Sequence, residues 1–164
     1  MSKSSFLPPN RILMGPGPSH VDERVLMAMA RPTIGHLDPE FIRLMDEIKG
    51  YLQQMFLTKN ELTLPVSAPG SAGQESCIVN LLEPGDKCVV CINGVFGERL
   101  TIMAERAGAT VIPLRQTWGR AVDPEALEQT LTEHPDTKLV AFVHAETSTG
   151  VLSDAQALAA IAKQ

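Results

Sequence analysis

The apolar positions of the chain change period at Leu62. Before it they recur at helical spacing. Phe41, Leu44, Met45, Ile48, Leu52, Met55 and Phe56 form one stripe, which predicts a helix running to residue 56 with that stripe as core or interface. Asp38 caps this helix, Pro39 takes its first position, and Gly50 inside it costs about 1 kcal/mol relative to alanine. An earlier helix is predicted over 21–30, with Ser19 as N-cap, Asp22 and Glu23 in the first turn and Pro32 as the stop. Residues 1–14 read as an extended arm, and Gly15-Pro16-Gly17-Pro18 as a rigid bend.

From Leu62 short apolar runs alternate with helical stretches. Strands are predicted over 62–67, 87–92, 110–114 and 139–144. Helices are predicted over 72–82, 98–107, from the Asp123-Pro124-Glu125 cap to 133, and over 155–163 behind Ser153-Asp154. Gly108 ends the second of these as its C′ residue. This alternation predicts βαβ units, a parallel sheet and the α/β class.

Composition narrows the picture without changing it. The chain has 164 residues, 44% hydrophobic and 20% charged, enough for a domain with a real core. Its net charge of −5 offers no basic footprint, so no nucleic-acid partner is expected. No apolar run approaches the roughly 20 residues of a membrane helix. The N-terminal residues lack a signal-peptide core, so a cytoplasmic protein is expected. Cys88 and Cys91 are formally a CxxC pair, but a strand sends residues i and i+3 to opposite faces. They are expected to be buried structural thiols, with no metal site.

In parallel sheets ligands gather beyond the carboxyl ends of the strands. Three loops leave such ends here: 68–71, 93–97 and 145–150, all rich in Gly, Ser, Thr or Asn. The first is either an ordinary strand-to-helix turn or an anion site. In the second case Gly70 lets a ligand approach, and Ser71, Ala72 and Gly73 give the free N–H groups of a helix start. Phe96, between glycines, either offers a stacking surface or folds back onto the core. Thr147, Ser148 and Thr149 are either three site hydroxyls or a plain Ser/Thr turn. His36, beside Gly35, either faces a pocket or is solvated.

The order of these motifs carries a resemblance. It comprises Gly15-Pro16-Gly17-Pro18, Met45-Asp46-Glu47, the loop from Gly70 to Glu75, and Leu82-Glu83-Pro84-Gly85-Asp86. It continues through Asn93-Gly94-Val95-Phe96-Gly97-Glu98-Arg99 and His144-Ala145-Glu146-Thr147-Ser148-Thr149-Gly150-Val151. Together they resemble the class V (fold type I) pyridoxal-phosphate aminotransferases, within them the alanine–glyoxylate, serine–glyoxylate and ureidoglycine–glyoxylate group. The resemblance implies an incomplete three-layer, parallel-sheet large domain over 20–164, preceded by the arm and turn of 1–19. It implies pyridoxal 5′-phosphate as cofactor, with Gly70, Ser71 and Ala72 cradling its phosphate. Phe96 would stack on its ring, where the family often has Trp or Tyr, and Thr147 would contact it near the phenolic oxygen. Gly17 lies on the substrate side, and His36 is taken as a second candidate there. Pro69, without N–H or hydroxyl, departs from the family's commoner Ser or Thr, and Ala68 from its Gly.

The implied reaction moves an amino group from an amino acid, alanine or serine, to a 2-oxo acid such as glyoxylate. No catalytic residue is assigned within these residues. The family's Schiff-base Lys, its ring-nitrogen Asp and its carboxylate-binding Arg are expected later in sequence than Gln164. The chain is therefore expected to be the N-terminal part of a longer, homodimeric enzyme, inactive by itself. The alternatives are another class V reaction of lyase or desulfurase type, a non-catalytic nucleotide- or phosphate-binding module, and an interaction protein. The residues Gly70-Ser71-Ala72-Gly73 do not supply the G-x-G-x-x-G of the nucleotide-binding reading.

Overall fold

Four of the six helices described in the computed structural model, which covers residues 6–164, begin at an aspartate whose carboxylate accepts a backbone N–H two residues on. Such caps contribute about 1 kcal/mol each. The two helices that lack one turn out to matter most. The chain divides into two units, Met1–Pro65 and Val66–Gln164. Residues 1–5 of the expected arm lie outside the described residues.

In the first unit α1 spans Glu23–Met29 and α2 spans Pro39–Met55. α1 starts two residues later than its expected position, because Asp22 rather than Ser19 is the cap. The Asp22 carboxylate accepts both the backbone N–H and the guanidinium of Arg24, each at 2.9 Å. α2 has the expected Asp38 cap and Pro39 at its start. Along its stripe Phe41, Met45, Ile48 and Leu52 are half-buried, whereas Leu44, Met55 and Phe56 are exposed.

Residues 62–67, expected as a strand, join no sheet. A strand exists only through a ladder with a neighbour, and here the backbone turns on itself instead, with Ala68 N–H donating to Val66 O.

The second unit runs α3 (Gly70–Leu81), β1 (Lys87–Ile92), α4 (Val95–Arg106), β2 (Thr110–Arg115), α5 (Pro124–Glu133), β3 (Thr137–Ala141), β4 (Ala145–Glu146), β5 (Val151–Leu152) and α6 (Ala155–Ala162). Strands β2, β1 and β3 form a parallel sheet in that order, with Val89 opposite both Ile112 and Val140. The central strand is covered on both faces, which is why its sequence is continuously apolar. Cys88, Val90 and Ile92 pack with Ile78 and Leu82 on one side, beside Leu100 and Ala104 of α4. Val89 and Cys91 pack with Leu127 of α5 and Leu158 of α6 on the other. The unit is thus three layers, as expected. The two cysteines do point to opposite faces, and both are free thiols. Burial pushes their pKa up to about 11 for Cys88 and about 12 for Cys91, where the neighbouring Cys88 adds to it, so neither is a nucleophile near neutral pH.

Further boundaries shift, with α3 beginning at Gly70 rather than 72 and β3 at Thr137 rather than 139. β3 ends at Ala141 rather than 144, and the predicted loop 145–150 is a tight antiparallel hairpin, β4 against β5. α4 begins at Val95, not 98, so Phe96 belongs to its first turn. Gly108 follows α4 with φ of 87°, the left-handed conformation expected of a C′ glycine.

Candidate functional site

α3 and α4 are the two helices without a side-chain cap of their own, since Pro69 and Gly94 stand at their N-cap positions. Both amino ends lie at the carboxyl edge of the sheet. α4 follows directly from the end of β1. α3 packs Ile78 and Leu82 onto the same face and leads into β1 through a short turn, so its start points the opposite way. Gln74, in its second turn, shares a groove with Ala141 and Phe142 at the end of β3.

α4 borrows its cap from the hairpin, some fifty residues on. Val95 N–H donates to Ser148 Oγ at 3.0 Å. Phe96 and Gly97 N–H both donate to Glu146 Oε2, at 3.1 and 3.3 Å. The other carboxylate oxygen, Oε1, accepts the Ser148 backbone N–H at 3.2 Å and its hydroxyl at 2.6 Å. Glu146 has no exposed surface. A buried carboxylate costs several kcal/mol unless it is satisfied. Here four donors and the positive end of α4 satisfy it. Gly94 makes the approach possible. A Cβ there would sit 2.4 Å from both Cγ and Cδ of Glu146 and 2.6 Å from Ser148 Oγ.

α3 has no such partner. Ala72 N–H donates to Pro69 O at 2.9 Å. The open donors are therefore those of Gly70 and Ser71, one residue earlier than the sequence suggested. Neither N–H, nor the Ser71 hydroxyl, has a hydrogen-bond partner among the described residues. A Cβ at Gly70 would meet nothing within 4 Å, so the backbone there is open to a ligand's approach.

Phe96 is half-buried and belongs to neither apolar cluster. The Arg99 guanidinium lies 4.8 Å from its ring centre, a cation–π contact that holds one face of the ring. Thr147 is exposed at the hairpin tip between Glu146 and Ser148. Phe96 and Thr147 are thus brought together through Glu146. Gly17 and His36 are exposed residues of the first unit. Asn93, fully buried where β1 ends, donates its amide to Arg120 O at 3.0 Å, and its Oδ1 has no partner among the described residues. Sequence reasoning named Ser148 among three candidate hydroxyls but missed the roles of Glu146 and Asn93. No local signal marked them, because the start of α4 at Gly94, which lacks a side-chain cap, emerges only from the fold.

Two strand lysines stand at the other end of the sheet. Lys87 opens β1 and pairs with Asp136, while Lys138 near the start of β3 pairs with Asp86. These partners hold both carboxyl groups below the usual carboxylate range, Lys138 for Asp86 and Lys87 for Asp136. No helix among the described residues is long and apolar enough to cross a membrane.

Comparison with known proteins places this architecture. Alanine–glyoxylate aminotransferase of Felis catus is 42% identical over 144 residues, 88% of this chain and 34% of that protein. The (S)-ureidoglycine–glyoxylate transaminase of Bacillus subtilis is 40% identical over 150 residues, 92% of this chain and 36% of that protein. The crystal structure of an alanine–glyoxylate aminotransferase from Nostoc sp. superposes with a TM-score of 0.93 at 40% identity, covering 99% of this chain and 43% of that one. The chain spans about a third of the length of the sequence relatives it matches. The family profile described as Aminotransferase class-V matches residues 13–164, and the chain belongs to that family.

Proposed function

We propose that this chain is part of a pyridoxal-phosphate-dependent aminotransferase that moves an amino group from an amino acid, alanine or serine, to a 2-oxo acid such as glyoxylate. The observation that carries the proposal is the uncapped start of α3 beside the capped start of α4. Gly70 and Ser71 carry two unpartnered N–H groups and an unpartnered hydroxyl, and nothing lies within 4 Å of a Cβ built at Gly70. A phosphate dianion suits that position, because a helix amino end favours negative charge by roughly 0.3–2 kcal/mol from its dipole alone. Pro69 contributes no donor and the Ala72 N–H is taken by Pro69 O, so the cradle rests on Gly70 and Ser71 rather than on Ala72.

When bound, the cofactor supplies an electron sink for the bond broken at the substrate's α-carbon. The residues of this chain bind and orient it. Gly70 and Ser71 hold the phosphate. The Phe96 ring, backed by Arg99, offers a flat apolar surface to the pyridine ring. The Thr147 hydroxyl is free to bond the phenolic oxygen. Gly17 and His36 are assigned to the substrate side. The stripe of α2, half-buried or exposed throughout, is assigned to a homodimer interface. Relatives with the same architecture carry out amino transfer to glyoxylate, which supports the choice of acceptor.

The test is made on the intact protein, loaded with pyridoxal 5′-phosphate and given L-alanine or L-serine with glyoxylate. Glycine formation that depends on the cofactor supports the reading. A folded protein that forms no glycine from either donor refutes it.

A further inference from the structure

We propose that Glu146 is a positioning residue, whose buried carboxylate locks the amino end of α4 to the β4–β5 hairpin so that Phe96 and Thr147 keep a fixed spacing across the cofactor. The inference rests on the aminotransferase reading and goes beyond it. Oε2 takes the N–H of Phe96 itself and of Gly97, while Oε1 takes both donors of Ser148, the residue after Thr147. One side chain therefore bonds the backbone at Phe96 and the residue next to Thr147.

α4 is packed through Leu100 and Ala104 and the hairpin has its own backbone bonds, and Glu146 ties the two directly at the start of α4. α4 has no cap from its own sequence, and the two-residue strands of the hairpin form a minimal ladder. Thr147 is exposed, with no side-chain bond of its own among the described residues. The remaining ties run through the same cluster. Ser148 Oγ accepts from Val95 N–H at 3.0 Å, and Thr149 Oγ approaches Asn93 O at 3.4 Å. A carboxylate is the group the position calls for. It is acceptor-only on both oxygens, and all four groups facing it are donors. An amide in its place has one acceptor and one donor end, so it satisfies α4 or the Ser148 backbone N–H, not both.

The test uses the intact protein and three readouts: the dissociation constant for pyridoxal 5′-phosphate, the induced circular dichroism of the bound cofactor at saturation, and the unfolding midpoint without cofactor. Glu146→Gln is expected to weaken cofactor binding by about tenfold, the loss of one charge-assisted hydrogen bond, and to diminish the dichroic band. Ser148→Ala leaves the carboxylate with three donors but removes the hydroxyl's bond to Oε1 and its bond from Val95 N–H, and is expected to act in the same direction by about three- to tenfold. It carries the test if Glu146→Gln fails to fold. If variants bind cofactor with wild-type affinity and dichroism while only the unfolding midpoint falls, Glu146 is a structural cap and the inference is overturned, with the aminotransferase reading intact. If the folded wild-type protein binds no cofactor, both are overturned.

Discussion

Replacing Gly94 with alanine adds one methyl group, and the geometry says where it goes. The new Cβ would lie 2.4 Å from Glu146 Cγ and Cδ and 2.6 Å from Ser148 Oγ, well inside van der Waals contact. Backbone strain plays no part, because φ at Gly94 is 176°, extended backbone that alanine adopts freely. The cost comes from contact alone. Overpacking a tight site costs about 1–3 kcal/mol. Pushing the carboxylate off Phe96 and Gly97 N–H removes the borrowed cap, worth about 1 kcal/mol more. The lower entropy of an unfolded chain with alanine offsets about 0.4–1 kcal/mol. A net destabilisation of about 2 kcal/mol is expected, read as a shift of the urea midpoint at constant slope. The same substitution in a Glu146→Ala background should cost much less, since most of the crowding is then gone. A Gly94→Ala variant within 0.5 kcal/mol of wild type, the ordinary range for a surface change, or an undiminished cost in the double variant, would refute the reasoning.

Further outcomes follow from other parts of the structure. Phe96→Ala should weaken pyridoxal 5′-phosphate binding by roughly three- to tenfold, the value of aromatic stacking beyond burial; fluorescence titration that finds unchanged affinity contradicts the stacking role. The Asp86–Lys138 and Asp136–Lys87 pairs lower both carboxyl pKa values below 3.8 in the folded chain. The unfolded chain therefore takes up protons first as pH falls, and the stability these pairs give, full above the ordinary carboxylate range, is lost through it towards the depressed values. Asp86→Asn should flatten that acid limb of the unfolding midpoint, and an unaltered acid limb would count against the pair. The apolar stripe of α2 predicts a dimer of the intact protein at micromolar concentration by sedimentation, and a monomer there removes the interface assignment.

What was legible in the sequence depended on how local its cause is. β1 was readable to the residue because a central parallel strand buried on both faces must be apolar throughout. α2, α5 and α6 were readable because their aspartate caps sit next to the helices they start. The start of α4 was not, since its cap is donated by Glu146 from the far side of two βα units. Nothing local marks a glutamate in a polar hairpin as fully buried. The stretch 62–67 has a strand's pattern, but a ladder is a property of two segments, and no pattern within one of them supplies the other. In the candidate site, Gly70, Phe96 and Thr147 were visible through resemblance and loop chemistry, while the carboxylate between the last two emerged only from the fold.

The account turns on where the phosphate sits. A crystal structure of the intact protein with pyridoxal 5′-phosphate tests this directly. The predicted result has phosphate oxygens within hydrogen-bond reach of Gly70 and Ser71 N–H, with the pyridine ring parallel to the Phe96 ring and Thr147 Oγ facing its phenolic oxygen. Phosphate bound away from the start of α3, with Gly70 and Ser71 N–H left to water, would contradict it.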